Sequence, residues 1–198
     1  VHGFPIIEFL PVERNDLELA LKRIIDIIVS SIGLVLLAPL FVIIAVLIKL
    51  ESPGPVFYRW KILGLNKRPL TSYKFRTMAQ DADKLKEALM DKNEMTGAVF
   101  KMKDDPRITR VGKWLRKYSL DELPQLWSVL KGDLSLVGPR PPLQTEMEKF
   151  EGWQRRKLSV KPGITCLWQI NGRNAITDFD EWIKLDLEYI DNWSFWLD

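Results

Sequence analysis

The sequence predicts a mainly helical α/β domain built on one proline-kinked apolar helix. Three observations carry this reading. Residues 27–48 read IIVSSIGLVLLAPLFVIIAVLI without a single charge, interrupted by Pro39. Two β-prone runs, VFYRWKI and PLTSYKFR, flank a turn containing Gly64 and Asn66. Further on, apolar residues recur at helical spacing within charged segments. A chain of 198 residues agrees with one domain plus an accessory segment. We divide it into a tail of an upstream domain or linker (1–16), a membrane-inserted helix (17–51) and the main domain (52–198).

The elements follow in order. The opening VHGFPIIEFLPVERND mixes short apolar pieces with prolines and reads as the end of something upstream. As a helix, residues 27–48 would be about 33 Å long, enough for a hydrocarbon core of about 30 Å. Few core helices are apolar on every face for so many turns. Pro39 removes the hydrogen bond to the Val35 carbonyl and clashes with that turn, which predicts a kink. Both flanks are basic, with Arg14, Lys22 and Arg23 before and Lys49, Arg59, Lys61, Lys67 and Arg68 after. Orientation by positive charge is therefore balanced. A re-entrant helix that enters and leaves on one face fits the kink and both flanks; a kinked span is its competitor.

Ser52-Pro53-Gly54-Pro55 stops the helix, and the two β-prone runs form a hairpin. Residues 79–95 predict a charged helix, with Leu85 and Leu89 on one side. In 107–118, Arg110, Lys113 and Lys117 form a basic stripe opposite Ile108, Val111 and Leu115, with Trp114 at the border. That stripe is a solvated face or an interface with anionic headgroups. Residues 124–131 predict a short helix closed by Gly132, and 132–142 a shaped loop without regular structure. Residues 144–160 predict one helix, and 161–174 a turn, a short strand and a loop. Residues 178–190 predict a helix with Asp178 and Glu181 spaced as a capping box.

Composition narrows the chemistry. The formal charge of +3 does not call for a nucleic-acid partner. One histidine, His2, and one cysteine, Cys166, exclude an intrachain disulfide and clustered Cys/His metal sites, and the position of His2 argues against a Ser-His-Asp or Cys-His mechanism. The 8 tryptophans suit a water–membrane boundary. Chemistry must come from carboxylates and Lys/Arg, with or without a bound metal. Two D-x-D triplets, Asp81-Ala82-Asp83 and Asp178-Phe179-Asp180, would suit a nucleotide-sugar glycosyltransferase, but both fall at predicted helix starts, where acids are favoured anyway. The adjacent acids Asp121-Glu122 are a stronger candidate. Against them stands a structural reading, since Ser119 and Glu122 have capping-box spacing. Arg76, Arg107, Arg140 and Arg173 sit in loops or at element ends, and arginine forks match phosphate oxygens. With the acidic pair they suggest a diphosphate held with a divalent cation.

The blocks DPRITRVGKWLRKY, SLDELPQLWSVLKGDLSLVGPRP and KPGITCLWQINGRN resemble the bacterial sugar transferases, the polyprenyl-phosphate sugar-1-phosphate transferases or monotopic phosphoglycosyl transferases. The likeness runs from about Leu21 to Asp198, through SPGPVFYRW and YKFRTM to YIDNWSFWLD. It implies the catalytic domain of a longer enzyme that moves glucose- or galactose-1-phosphate. The sugar phosphate would pass from a UDP-sugar to undecaprenyl phosphate in the bilayer, with release of UMP. By the same resemblance Asp121 is the nucleophile, Glu122 a Mg2+ ligand, and Lys74, Arg76, Arg107, Arg140 and Arg173 contact phosphate. Pro39 breaks the re-entrant helix, after Ala38 where some members have serine. Cys166 stands where many members have glycine and reads as packing. The implied setting is the cytoplasmic face of the bacterial inner membrane, with amphipathic surface helices and room for a homodimer of the full-length protein. Two other readings remain: a D-x-D glycosyltransferase passing only the sugar to a lipid, and a membrane-tethered scaffold holding anionic lipid with its basic stripe.

Overall fold

A computed structural model describes residues 16–171 and 176–198. The apolar run is split between two helices, α1 (Asp16–Leu36) and α2 (Ala38–Glu51), bent by 59°. Leu37 N–H still donates to Gly33 at 2.9 Å, and Phe41 N–H to Leu37 at 2.9 Å. Between them Pro39 has no N–H to give, so the ladder is interrupted there. Among the described residues no single helix is long and apolar enough to cross a membrane; the bent pair passes that test only together.

Helix α1 begins well before the uncharged run because its first half has a polar docking face. The Arg23 guanidinium donates to the Val129 and Leu130 carbonyls, at 2.6 and 2.7 Å. Asp26, 3% exposed, accepts from Leu136 N–H at 2.9 Å and from the Ser135 hydroxyl at 3.2 Å. The Ser30 hydroxyl is tied back to the Asp26 carbonyl. A Cβ on Gly33 would lie 3.1 Å from Leu126 Cδ1, so the glycine lets the helix approach closely. Spacings of three and four put these residues on one face. The opposite face exposes Ile24, Ile28, Ile32 and Val35, and α2 exposes Val42, Ile43, Val46 and Leu50. Ile44 and Ile48 of α2 turn inward onto Phe75 and Leu115.

Strands β1 (Phe57–Leu63) and β2 (Pro69–Phe75) form the expected antiparallel hairpin, registered from Phe57 opposite Phe75 to Leu63 opposite Pro69. Asn66 and Lys67 carry the turn at φ 53° and 64°. The predicted helix over 79–95 is shorter: α3 covers Ala82–Ala88, followed by a 3-10 turn at Met90–Lys92. The Asn93 amide bonds the backbone of Met95, Val99 and Lys101, which offers the chain a loop in place of further helix. Helix α4 (Arg110–Lys117) is capped by the Thr109 hydroxyl accepting from Gly112 N–H. Glu51, the last residue of α2, also accepts from the Arg110 and Val111 N–H groups at the α4 N-terminus.

A 3-10 turn, Leu120–Gln125, leads into α5 (Leu126–Lys131), which Gly132 closes at φ 91°. The segment 132–142 is not the irregular loop the sequence suggests, because it holds β3 (Ser135–Val137). That strand is paired in parallel with β4 (Gly163–Thr165). A side chain on Gly163 would collide with the Gly138 nitrogen, and one on Gly138 would come within 2.7 Å of the Lys161 carbonyl. These glycines permit backbone contact; they do not mark a turn. The single helix expected over 144–160 is likewise two pieces, α6 (Gln144–Met147) and a 3-10 segment at Gln154–Ser159. Between them the Gln154 side chain accepts from Glu151 N–H and Arg155 donates to the Phe150 carbonyl, closing a turn around Gly152. Helices α7 (Leu167–Ile170) and α8 (Phe179–Asp191) follow. They build the largest apolar cluster, with Phe150, Trp168, Phe179, Trp182 and Ile183 at its centre.

Magnitudes decide what holds the bend. Restoring one backbone hydrogen bond gains about 0.5–1.5 kcal/mol, whereas undocking Ile44 and Ile48 exposes two side chains worth about 1.5–3 kcal/mol each. At 1.5 Å per residue the arms are about 31 and 21 Å long, so their ends lie about 45 Å apart when bent and about 52 Å apart when straight. We expect Pro39→Ala to leave the distance between spin labels at Leu17 and Leu50 close to the parent value. Pro39→Ala combined with Ile44→Ala and Ile48→Ala should lengthen it toward the straight value. A straight helix in the single variant would make the proline the sole cause.

Candidate active site

The hairpin, α4, the 3-10 turn, the loop after β3, and α7 and α8 surround a cleft of about 1460 Å³. That exceeds the usual pocket of about 300–1,000 Å³. Arg59, Lys74, Lys113, Arg116, Lys117 and Arg140 are among the cations that line it, with Asp121 and Glu122. A cleft with this balance concentrates polyanions.

The acidic pair is placed by a backbone reversal. Ser119 ends α4 in the left-handed region at φ 56°, an unusual conformation for a residue with a side chain. It turns the chain into the 3-10 segment that carries both acids against β2. The capping-box reading of the pair is not what the structure contains, because the Ser119 side chain makes no capping hydrogen bond. Glu122 instead faces Lys74 of β2, with Oε1 accepting from Nζ at 3.0 Å. Asp121 is buried beside it, 7% exposed. Burial lowers the Lys74 pKa, opposed by the Glu122 charge and abetted by the Arg140 charge. Arg116, which the sequence reading passed over, donates through Nε to the Thr77 hydroxyl at 2.9 Å, and its charge acts on both Asp121 and Glu122. It lies one residue off the basic stripe of α4, and that offset is the sequence signal that separates it from a solvated face.

The four arginines separate by what their forks touch. Arg76 spends both terminal nitrogens on the turn after α2: Nη1 donates to the Pro53 carbonyl at 2.5 Å, and Nη2 to the Ser52 carbonyl and hydroxyl at 2.8 and 2.9 Å. Arg107 is 5% exposed and chelates Asp105 at 2.8 and 2.6 Å. The phosphate-contacting role expected of these two conflicts with forks already filled by protein acceptors. Arg173 lies outside the described residues. Arg140 differs, since its guanidinium makes no hydrogen bond to any described residue. Its ionic neighbour, Glu146, stands at 3.6 Å and accepts from Leu143 N–H instead. The arginine stands 5.6 Å from the Trp60 ring and 5.1 Å from the Trp182 ring. Its loop is fixed by Pro139, Pro141 and Pro142, all fully buried, and by Gly163 N–H donating to the Pro139 carbonyl.

The D-x-D triplets sit at helix starts. Asp178 caps α8 by accepting from Asp180 N–H, and Asp180 accepts from Gln154. Asp81 pairs with Lys84 on an exposed surface. A buried pair the sequence did not announce, Lys157 and Asp186, lies behind the cleft with 2.6 Å between Nζ and Oδ2. Burial raises the Asp186 pKa despite that partner. Cys166 is buried in the same cluster, and burial also raises its thiol pKa, as befits a packing residue. Among the described residues no group of three or more His, Cys, Asp or Glu side chains could cage a metal ion. Asp121 and Glu122 remain as two adjacent carboxylate oxygen donors on the cleft wall.

The sequence model of the family described as bacterial sugar transferase matches residues 17–198. The chain is 47% identical over 196 residues to the galactosyl transferase CpsE of Streptococcus agalactiae serotype III (strain NEM316), covering 99% of this chain and 43% of that protein. It is 40% identical over 181 residues to the exopolysaccharide production protein ExoY of Rhizobium meliloti (strain 1021), covering 89% and 80%. It is 39% identical over 208 residues to the UDP-glucose:undecaprenyl-phosphate glucose-1-phosphate transferase of Klebsiella pneumoniae, covering 100% and 42%. The chain thus spans less than half the length of the first and third of these relatives.

The Asp105–Arg107 chelate walls one side of the cleft and makes a pH-dependent contribution to stability. Burial alone would raise the Asp105 pKa, but the hydrogen bonds and charge of Arg107 outweigh it and hold the carboxyl below its ordinary value. A depressed carboxylate stabilises the fold above its unfolded pKa, and that stability is lost as the pH falls through the folded value. Asp105→Asn removes the charge that offsets buried Arg107, so we expect a loss of about 3–5 kcal/mol at neutral pH. Urea melts across the acid range should show a shallower acid dependence for the variant than for the parent.

Proposed function

The chain belongs to the bacterial sugar transferase family, and from that premise we propose that it transfers sugar-1-phosphate from a UDP-sugar to a polyprenyl phosphate, undecaprenyl phosphate by analogy with the Klebsiella relative, releasing UMP. The observation that carries the proposal is the Asp121-Glu122 pair in a cation-lined cleft, beside an arginine, Arg140, that makes no hydrogen bond to any described residue and has Glu146 at 3.6 Å. A transferase that moved only the sugar would release UDP; Asp178 and Asp180 are engaged in capping α8 and in accepting from Gln154.

In the proposed reaction a carboxylate oxygen of Asp121 attacks the sugar-linked phosphorus. An O–P bond forms, the bond to the bridging oxygen breaks, and its electron pair leaves with UMP. The phosphate of the lipid acceptor then attacks the same phosphorus and returns the carboxylate of Asp121. Splitting the transfer in this way lets a water-soluble donor and a bilayer acceptor use one centre in turn. Arg140 and Lys74 would offset charge on the diphosphate, and Arg116 would hold the approach to the acids electropositive. Glu122, with its neighbour Asp121, would hold magnesium, which when bound would neutralise charge developing on the phosphate oxygens. Lys74 is paired with Glu122 at 3.0 Å on the same wall of the cleft.

The exposed apolar faces of α1 and α2, with half-exposed Trp114 and Trp127, support immersion of the bent pair in the bilayer as a re-entrant element. The catalytic domain would then lie on the cytoplasmic face of a bacterial membrane, where the sugar nucleotide is available.

Two measurements test the reading. Incubated with UDP-sugar and magnesium but no lipid, the protein should release UMP and carry a phosphosugar on the Asp121 peptide. Asp121→Asn should abolish both, while Glu122→Gln should keep the attachment site and lose most of the magnesium dependence. A folded Asp121→Asn protein with substantial turnover would end the covalent mechanism. For topology, single cysteines at Glu18 and Asn66, in a Cys166→Ala background, should both resist an impermeant thiol reagent applied outside intact cells. Labelling of one alone would mean that the bent pair spans.

A further inference from the structure

Trp60 lies in the middle of β1, opposite Ser72, and is 7% exposed. It belongs to an apolar cluster with Ile62, Val129 and Leu134, which fixes it to the body of the domain. Two cations from different parts of the chain meet its ring. Lys74 Nζ, from β2, is 3.8 Å from the ring centroid, and the Arg140 guanidinium carbon, from the loop after β3, is 5.6 Å away. Like charges brought together inside a partly buried cleft repel, so something must offset the cost of holding them there. The negative face of an indole does so without neutralising either charge. An acid in the same place would offset the repulsion too, but it would compete with phosphate for both cations.

The other anchors each serve one of the two cations, and the Trp182 ring, 5.1 Å from Arg140, is among them. Glu146 is 3.6 Å from Arg140 and engaged elsewhere. Glu122 pairs with Lys74 at 3.0 Å and is the residue proposed above to hold magnesium. Among the described residues, Trp60 is the aromatic ring that both cations meet. We propose that Trp60 is a positioning residue for the diphosphate, holding Lys74 and Arg140 at a set separation so that the two cations meet the two phosphates of a sugar nucleotide. The proposal rests on the sugar-nucleotide reading above. It goes beyond that reading by assigning the arrangement of the cations to an aromatic face, where no motif of the sequence would put it.

The test uses tryptophans carrying an increasing number of ring fluorines, placed at position 60 alone. Fluorine withdraws electron density from the ring face while nearly preserving its shape, so the fold is retained. Calorimetric binding of UDP with magnesium to the full chain in nanodiscs should weaken stepwise, by about tenfold over the series, with an unchanged melting midpoint. The same series at Trp127, outside the cleft, should be flat. In an Arg140→Ala background the dependence on fluorination at Trp60 should shrink, because one of the two cations is gone. Normal UDP binding by the parent with a flat series at Trp60 would overturn the positioning role alone. Failure of the parent to bind UDP would overturn the sugar-nucleotide reading and this proposal with it.

Discussion

The arrangement depends first on how α1 is fastened to α5. Arg23 caps the last carbonyls of α5, Asp26 takes a β3 amide, and Gly33 lets Leu126 come close. Leu126 follows directly on the 3-10 turn that carries Asp121 and Glu122. The acids are therefore held at a set position relative to the exposed apolar surface of α1. A cation at a helix C-terminus and a buried carboxylate on backbone N–H are both charge-assisted contacts. They let a helix that is greasy on one side dock through polar groups on the other. The fastening also explains why α1 begins outside the uncharged stretch: its first turns are the part that binds the domain.

The second constraint is charge. A cleft prepared for phosphate has to hold several cations close together before any phosphate arrives. The structure manages this in different ways for different residues. Lys74 is set against Glu122 and an indole, Arg116 against the two acids, and Arg76 and Arg107 are withdrawn into loops they stabilise. Arg140 alone among these makes no hydrogen bond to a described residue, with the Glu146 carboxylate at 3.6 Å. Uncommitted donors in a rigid, proline-framed loop are already oriented, so little ordering remains to be done when a ligand arrives.

Much of this was legible in the sequence, and the boundary between legible and hidden is physical. The broken apolar helix, the hairpin and the acidic pair are written in local pattern: a charge-free run with one proline, two alternating runs around a turn, and two adjacent acids in a segment that resembles a family block. Of the β3–β4 ladder, the short strand within 161–174 was expected; β3 was hidden because three residues between Gly132 and the Gly138-Pro139 break read as loop, and only the tertiary approach of Gly138 to Gly163 reveals the glycines' purpose. The helix expected over 144–160 failed because side-chain bonds to the backbone around Gly152 outcompete a helix there. The four arginines looked equivalent in sequence, since a guanidinium's partners are set by the fold. Arg116 was lost among the basic residues of α4, and Lys157 with Asp186 carried no local sign of being paired.

The cap that Glu51 places on α4 ties the lengths of distant segments together. Helix α4 must start where α2 stops, although the hairpin and more than fifty residues of chain intervene. One residue added to α2 would rotate its end by about 100° and carry the carboxylate away from the amides it serves. The hairpin tip at Asn66, which takes no part in that junction, can lengthen without cost to it. Drift in chain length among descendants of this sequence should then be sharply uneven, with insertions gathering at the hairpin tip and α2 held to a fixed count.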